Sequence, residues 1–175
     1  MIKNKKNLTL IVVILLIVAA FGFILKSNYM HHLLGKYAVG SFNDNFKNYN
    51  RIFNIYDEND NEVASFKTAL ADDDEKKRTG LMNLKELPQD YGMVFTFFPS
   101  QLVSMWMKNT LIELDMIFVD ADNEIATIKH RAQPHSLDII SSQREVIMVL
   151  EINGGLCEKL GIKEGQKIQF LNAGF

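Results

Sequence analysis

Two segments of the chain, residues 114–119 and 146–152, are apolar at almost every position instead of at every second one. A strand that has one solvated face alternates apolar and polar side chains, so strands of this composition must bury both faces. Each segment nevertheless contains a single carboxylate, Asp115 in the first and Glu151 in the second. The sequence therefore predicts a sheet that is covered on both sides and that holds two buried acids.

Shorter strand patterns separated by turn residues account for most of the remaining domain. They cover residues 52–56, 62–67, 93–98, 124–130 and 167–171, and the second apolar run extends over 145–153. The acidic run from Asp72 supplies helix-capping residues, so it predicts a short helix over 73–83, and a helical turn is predicted over 155–160. Seven strands with two short helices predict a mainly β (α+β) domain, built as a compact barrel or sandwich.

An uncharged apolar stretch of 18 residues, Leu8 to Leu25, dominates the N-terminal part of the chain. As a helix it would be roughly 27 Å long, close to the ~30 Å hydrocarbon core of a membrane. Lysines precede the stretch, which favours a cytoplasmic N-terminus. A cleaved signal peptide is the alternative, but its apolar region usually spans only about 7–15 residues.

The predicted organisation is therefore that of a single-pass protein of the cell membrane, with its N-terminus inside and its C-terminal domain outside. We expect a basic cytoplasmic end over residues 1–7, a transmembrane signal-anchor helix over 8–25, a tether over 26–50 and an extracytoplasmic β domain over 51–175.

The balance of basic and acidic side chains and the number of cysteines exclude some classes of function. Residues 27–175 contain 15 basic and 21 acidic side chains, which is the wrong balance for a nucleic-acid surface, so no nucleic-acid partner is expected. The lone Cys157 cannot form an intramolecular disulfide, so packing alone must hold the domain together. We interpret Cys157 as a small buried apolar residue and expect no cofactor.

The segment between Arg78 and Asp120 has the most unusual local composition in the chain. It holds the only tryptophan, five of the eight methionines and the triplet Lys108-Asn109-Thr110. An aromatic face beside hydrogen-bond donors suits a sugar or a peptide. We therefore expect Trp106, Lys108 and Asn109 to form a recognition loop.

The two buried acids admit two interpretations. If their strands are antiparallel neighbours, Asp115 and Glu151 lie at the same end of the sheet, and Arg78, Lys108 or backbone donors must compensate their charges. One interpretation is a buried ion-pair network that fixes the loop. The other is a ligand site in which the acids organise the loop from beneath. The ligand-binding residues predicted by the second interpretation are Arg78, Trp106, Lys108, Asn109, Asp115 and Glu151.

Enzymatic and metal-binding alternatives have weaker support in the sequence. Asp115 and Glu151 could act as the carboxylate pair of a cell-envelope hydrolase that cleaves glycosides. Met105 and Met107 could hold Cu(I), which thioethers select, although methionine equally fills cores. The segment 130–138 contains two histidines, a serine and an aspartate, but it matches neither a serine-nucleophile elbow nor a zinc ligand set. We predict no catalytic residue and no resident metal, and we expect that the domain is not an enzyme.

An ordered series of motifs runs from about Val63 to Leu171. It comprises Arg78-x-Gly80-Leu81-Met82, Leu87-Pro88, Gly92-Met93-x-Phe95, Trp106-Met107-Lys108-Asn109-Thr110-Leu111-Ile112, Leu114-Asp115-Met116-Ile117-Phe118, Pro134-x-Ser136 and Val149-Leu150-Glu151. This series resembles the family known as domain of unknown function 192. The resemblance implies a compact, mainly β domain that is commonly exported behind a signal or anchor and has no established activity. The chain departs from the family pattern at Leu84, where arginine is typical, and at Glu113, where proline is usual, so no role of that arginine is carried over.

The function predicted from these features is that of a membrane-anchored extracytoplasmic binding or interaction module. Its expected partners are the membrane, through the single span, and a ligand that is a glycan or a peptide of the cell envelope.

Overall fold

A computed structural model describes residues 49–172, which belong to one compact unit. The elements are β1 (Arg51–Tyr56), β2 (Glu62–Ala71), α1 (Asp74–Thr79), β3 (Tyr91–Met105), β4 (Leu114–Val119), β5 (Ile125–Ala132), β6 (Ile140–Asn153), α2 (Leu156–Leu160) and β7 (Lys167–Asn172). The prediction of a mainly β domain with seven strands and two short helices is confirmed over these residues.

All seven strands form one sheet in the order β5-β4-β6-β3-β2-β1-β7. Every neighbouring pair is antiparallel except β2 and β3, which are parallel. The sheet curls until its two edge strands meet at one end. There the Ile125 N–H donates to the Gln166 carbonyl over 2.9 Å, and the Ile168 N–H donates to the Asn123 carbonyl over 2.8 Å. The architecture is therefore a half-barrel whose edges are joined at that end.

The main core fills the concave side of this sheet. It includes Phe53 and Ile55 of β1 together with Ile117 of β4 and its register partner Leu150 of β6. All residues of β4 are buried, and residues 148–152 of β6 are buried as well. The prediction that these two strands bury both faces is confirmed.

A second layer covers the opposite face of the central strands, and the two long connections on either side of β3 supply it. A Cβ atom on Gly80 would lie 3.2 Å from the Phe95 ring, so the first connection lies directly on β3. The Asn83 N–H donates to the Asn109 carbonyl over 2.8 Å and joins this connection to the one that follows β3. The motif residues on the two connections, far apart in sequence, are therefore brought together above the sheet.

Two element boundaries differ from the prediction. Asp73 caps α1 as expected, since its carboxylate accepts the Lys76 N–H over 2.8 Å, but the helix ends at Thr79 because Gly80 leaves the helical conformation with a φ of 47°. Strand β3 does not end before Pro99. The register between β3 and β6 shifts between Thr96 and Gln101, so proline, which has no N–H to donate, lies where the ladder is interrupted, and pairing then resumes.

The predicted cytoplasmic end, the predicted membrane span over 8–25 and the tether up to residue 48 lie outside the described residues. Within residues 49–172, no helix is both long enough and apolar enough to cross a membrane.

Candidate functional site

Asp115 and Glu151 lie on adjacent antiparallel strands, one register step apart, and both are buried. Asp115 is paired with Ile152, whereas Glu151 is paired with Met116. Paired residues of an antiparallel ladder point to the same face, and successive residues point to opposite faces. The two carboxylates are therefore neighbours at the same end of the sheet but point to opposite sides of it.

Asp115 is held by backbone donors. Its Oδ1 atom accepts the N–H groups of Arg131 over 2.8 Å and Gly155 over 3.0 Å, and its Oδ2 atom accepts the N–H of Cys157 over 2.8 Å. Two of these donors belong to the first turn of α2 and its N-cap, whose N–H groups have no partner within the helix. Asp115 therefore caps α2 from a neighbouring strand and fastens the helix to the sheet.

Glu151 has the opposite environment. Its side chain is 4% exposed and its partners in the register are Met93 on one side and Met116 on the other. No hydrogen bond or ion pair reaches its carboxyl group from any residue between 49 and 172. Burial raises the pKa of Glu151 from 4.5 to about 8, so the carboxyl group is mostly protonated at neutral pH.

A cavity of about 70 Å³ opens over Glu151 and is walled by the second layer. The last turn of α1 contributes Lys77 and Arg78, and the segment after β3 contributes Trp106 and Lys108. Four of the six predicted ligand-binding residues therefore line one cavity: Arg78, Trp106, Lys108 and Glu151. Lys77, which the sequence analysis did not single out, lies in the same wall. The sequence signal that could have identified Lys77 as a lining residue was its position one residue before Arg78, at the end of a capped helix.

The aromatic part of the rim is fixed by a neighbouring cation. The Lys108 ammonium lies 5.2 Å from the centroid of the Trp106 ring, a distance at which the ring quadrupole attracts a cation. The indole still has 41% of its surface exposed. Trp106 therefore offers a partly open aromatic surface at the mouth of the cavity.

Asn109 and Asp115 are the two predicted ligand-binding residues that do not line the cavity. Asn109 has a φ of 56°, and its carbonyl accepts the Asn83 N–H. Asparagine tolerates this left-handed conformation better than most residues, so Asn109 shapes the turn and joins the two connections.

The methionines do not form the pair that the copper hypothesis requires. Met105 lines the cavity together with Met82, whereas Met107 is fully buried and lies outside the lining. Met107 packs in the second layer as a core residue. The Met105–Met107 pair therefore does not present two sulfurs to one accessible point.

A different cluster, which the sequence analysis did not find, lies on the other face of the sheet. One ligand atom each of Asp115, His130 and Cys157 lie within 4.8 Å of one another. Burial and the neighbouring Asp115 carboxylate raise the pKa of the Cys157 thiol, whereas a metal ligand must be a thiolate. The Asp115 oxygens are already occupied by three N–H groups. These residues come from β4, β5 and α2, so only the tertiary structure could bring them together, and their protonation and bonding suit a structural role.

Residues 130–138 do not form the hydrogen-bonded serine–histidine pair that a serine nucleophile requires. The Ser136 hydroxyl donates to the Asp138 carboxylate over 3.1 Å and accepts the Asp138 N–H over 3.1 Å. Among the described residues, neither His130 nor His135 makes a hydrogen bond with Ser136. The serine and the aspartate therefore form a local turn.

Comparison with known proteins identifies the family. The family profile of domain of unknown function 192 (DUF192), described as Uncharacterized ACR, matches residues 55–170. The chain is 35% identical to a crystallised candidate transcription regulator from Sinorhizobium meliloti 1021, with a TM-score of 0.66 over 69% of this chain and 92% of that one. It is 34% identical to a protein of unknown function from Novosphingobium aromaticivorans DSM 12444, with a TM-score of 0.64 over 67% of this chain and 83% of that one. No curated protein matches the chain. The profile match over more than half of the chain and the likeness to these two structures show that this protein belongs to the DUF192 family.

Proposed function

We propose that the domain is a peptide-binding module, and that the bound peptide lies against Trp106 and inserts one small polar group into the cavity over Glu151. The single observation that carries this proposal is the position of the Glu151 carboxyl group, which lines the cavity and has no hydrogen bond or ion pair with any of residues 49–172. A carboxyl group in this position can form a hydrogen bond with a ligand group that enters the cavity from outside.

The surface beside the cavity favours a peptide over a sugar. Met105 pairs with Ile140, and the Met107 N–H donates to the Ser136 carbonyl over 3.0 Å, so the segment around Trp106 lies along residues 136–140. Within that stretch Leu137 is 66% exposed and Ile139 is 67% exposed. Exposed apolar side chains next to an aromatic ring suit the side chains of a peptide better than the hydroxyl groups of a sugar. The cavity is also much smaller than the ~300–1,000 Å³ of typical pockets for whole small molecules.

We also propose that the module is exported and tethered to the outer side of the cell membrane. This part depends on the uncharged stretch of residues 8–25 and the lysines that precede it. A regulatory role on DNA is not proposed, because residues 27–175 carry an excess of acidic side chains. Hydrolysis by Asp115 and Glu151 is not proposed either, since two carboxylates on opposite faces of a sheet cannot flank one scissile bond.

The test is a binding screen of the full-length chain against arrays of peptides and of glycans. Trp106 is the only tryptophan, so its fluorescence reports directly on occupancy of the site. We expect selective capture of peptides, with a change in Trp106 emission on titration. The Trp106→Ala variant should lose capture, while Leu171→Ala on β7 should keep it, because Leu171 has nearly the same exposure but lies on an edge strand. Capture of glycans alone, or peptide capture that survives Trp106→Ala, would contradict the proposed function.

A further inference from the structure

We propose that the group that enters the cavity is the free C-terminal carboxylate of the peptide, so that the module recognises chain ends. This inference rests on the proposed peptide-binding function and adds the chemistry of the bound group. Three features of the cavity support it: the charge of its lining, its size and the hydrogen-bonding capacity of the Glu151 carboxyl group, which forms its floor.

The charge of the lining favours an anion. Among the described residues, the lining has three cations, Lys77 and Arg78 from α1 and Lys108 from the segment after β3, and one acid, Glu151. The neighbours of Glu151 in the register, Met93 on β3 and Met116 on β4, carry no charge. With Glu151 protonated, the lining has a net positive charge. An ammonium group of a ligand is repelled by this lining, whereas a carboxylate is attracted to it.

The size of the cavity is sufficient for a carboxylate. A cavity of about 70 Å³ has room for this group, which has only three heavy atoms. The rest of the peptide lies outside, against Trp106 and the neighbouring exposed apolar residues.

Arg78 supplies the donor geometry for the anion. Its planar fork of N–H donors matches the two oxygens of a carboxylate in two parallel hydrogen bonds, and it matches a phosphate in the same way. Competition between acetate and inorganic phosphate therefore distinguishes the two anions.

The floor completes the recognition when Glu151 is protonated. A neutral carboxyl group has one O–H donor, which it can give to an oxygen of the incoming carboxylate. Once Glu151 ionises, the same position holds a second negative charge and repels the ligand. Binding should therefore be strongest at neutral and lower pH and should weaken as the pH rises through the range in which Glu151 loses its proton.

The experiment compares two small probes that differ only at the group in question. N-acetylleucine has a free carboxylate, and N-acetylleucinamide replaces it with a neutral amide. Both are titrated into the full-length chain while Trp106 fluorescence is followed. At about pH 6.5 we expect the acid to bind at least about tenfold more tightly than the amide, the size of one charge-assisted hydrogen bond. At about pH 9 the preference should fall by up to about tenfold, because Glu151, with a pKa of about 8, is then mostly ionised.

Two variants separate the role of Glu151 from the role of Arg78. Glu151→Gln keeps a hydrogen-bond donor at every pH, so the preference for the acid should persist and its pH dependence should disappear. Arg78→Gln should reduce the preference for the acid, whereas Lys129→Gln, on β5 and outside the lining, should leave it unchanged.

The outcomes distinguish recognition of the peptide's C-terminal carboxylate from peptide binding in general. If peptides are captured but the acid and the amide bind equally, recognition of chain ends is wrong and peptide binding stands. If inorganic phosphate displaces the bound peptide at lower concentration than acetate does, the bound group is a phosphate and the carboxylate assignment fails. If the arrays capture no peptide and neither probe changes Trp106 emission, both proposals fail.

Discussion

Asp115 and Glu151 are one register step apart on β4 and β6, yet the Asp115 carboxylate accepts three backbone N–H groups while the Glu151 carboxyl group accepts none from residues 49–172. The first acid has a complete set of partners on the concave face of the sheet. The second lies under the layer that covers the other face, where no described residue forms a hydrogen bond or an ion pair with it. The side of the sheet to which each acid points thus gives Asp115 a structural role and leaves Glu151 at the cavity where we propose that a ligand binds.

The stability of the protein should depend on pH through Glu151. Burial raises the pKa of Glu151 in the folded chain to about 8, from 4.5. Between these values the unfolded chain ionises and the folded chain does not, so the contribution of Glu151 to stability is fully present below pH 4.5, decreases as the pH rises and is lost above about 8. At about 1.4 kcal/mol per pKa unit, the loss is on the order of a few kcal/mol. Urea unfolding at about pH 5 and about pH 9 measures it. Glu151→Gln should lack this component, and parallel pH profiles of the variant and the wild type would refute the assignment.

Removing the Asp115 carboxylate should destabilise the fold at neutral pH. Hydrogen bonds to charged groups are each worth about 1.5–3 kcal/mol, and Asp115→Ala leaves three backbone donors, one of them buried and two part-buried, without an acceptor. We expect a loss of at least about 3 kcal/mol in the free energy of unfolding. Asp122→Asn, at an exposed acid in the turn after β4, is the matched control and should change stability by less than about 0.5 kcal/mol. Similar unfolding midpoints for the two variants would exclude the capping role of Asp115.

Trp106 and Met107 are adjacent in sequence but should respond differently to substitution. Met107 is completely buried, so Met107→Ala should cost about 2–5 kcal/mol of stability through lost contacts and a residual cavity. Trp106 remains partly exposed at the rim, so Trp106→Ala should cost about 1 kcal/mol or less while it removes ligand capture. Differential scanning calorimetry of both variants tests this contrast. A collapse of the fold on Trp106→Ala would show that the ring is a core residue.

Gly92 should not tolerate even one extra methyl group. A Cβ atom at this position would lie 2.7 Å from the Glu151 carbonyl oxygen and 2.9 Å from Leu150 Cδ1, because β3 and β6 approach closely there. The contact with a backbone atom of the ladder cannot be relieved by a change of rotamer. Gly92→Ala should therefore destabilise the protein by about 1–3 kcal/mol, measured as a lower urea midpoint. An unchanged midpoint would mean that the two strands can move apart at this point.

Cys157 should be chemically inert in the folded protein. Burial and the adjacent Asp115 raise the pKa of its thiol, and the thiolate is the reactive form. Reaction with a disulfide reagent should be at least about a hundredfold slower in the native chain than in denaturing urea. Because the chain has a single cysteine, the labelling rate needs no further assignment. Rapid native labelling, or a rise in unfolding midpoint on addition of zinc, would instead indicate an accessible thiolate.

Much of the fold follows from local sequence patterns. The two hairpins, β1–β2 and β4–β5, were predicted from strand patterns that flank turn residues, and both are present. The uninterrupted apolar runs correctly indicated that β4 and β6 are covered on both faces. The extension of β3 past Pro99 was missed because a shift in register, which has no signature in a single sequence, lets the ladder continue beyond a residue that normally ends a strand.

The amino-acid sequence by itself determined that two acids are buried within apolar strands and that the sheet around them is covered on both faces. It also placed Trp106 and Lys108 together in a connection after β3. The tertiary structure alone decided which acid lies under that connection. A strand with one apolar face shows its orientation through alternation, but β4 and β6 are apolar on both faces and contain no such signal. Their relative register, set by packing across the whole sheet, turns Asp115 toward the α2 amides and leaves Glu151 facing the cavity beside Trp106.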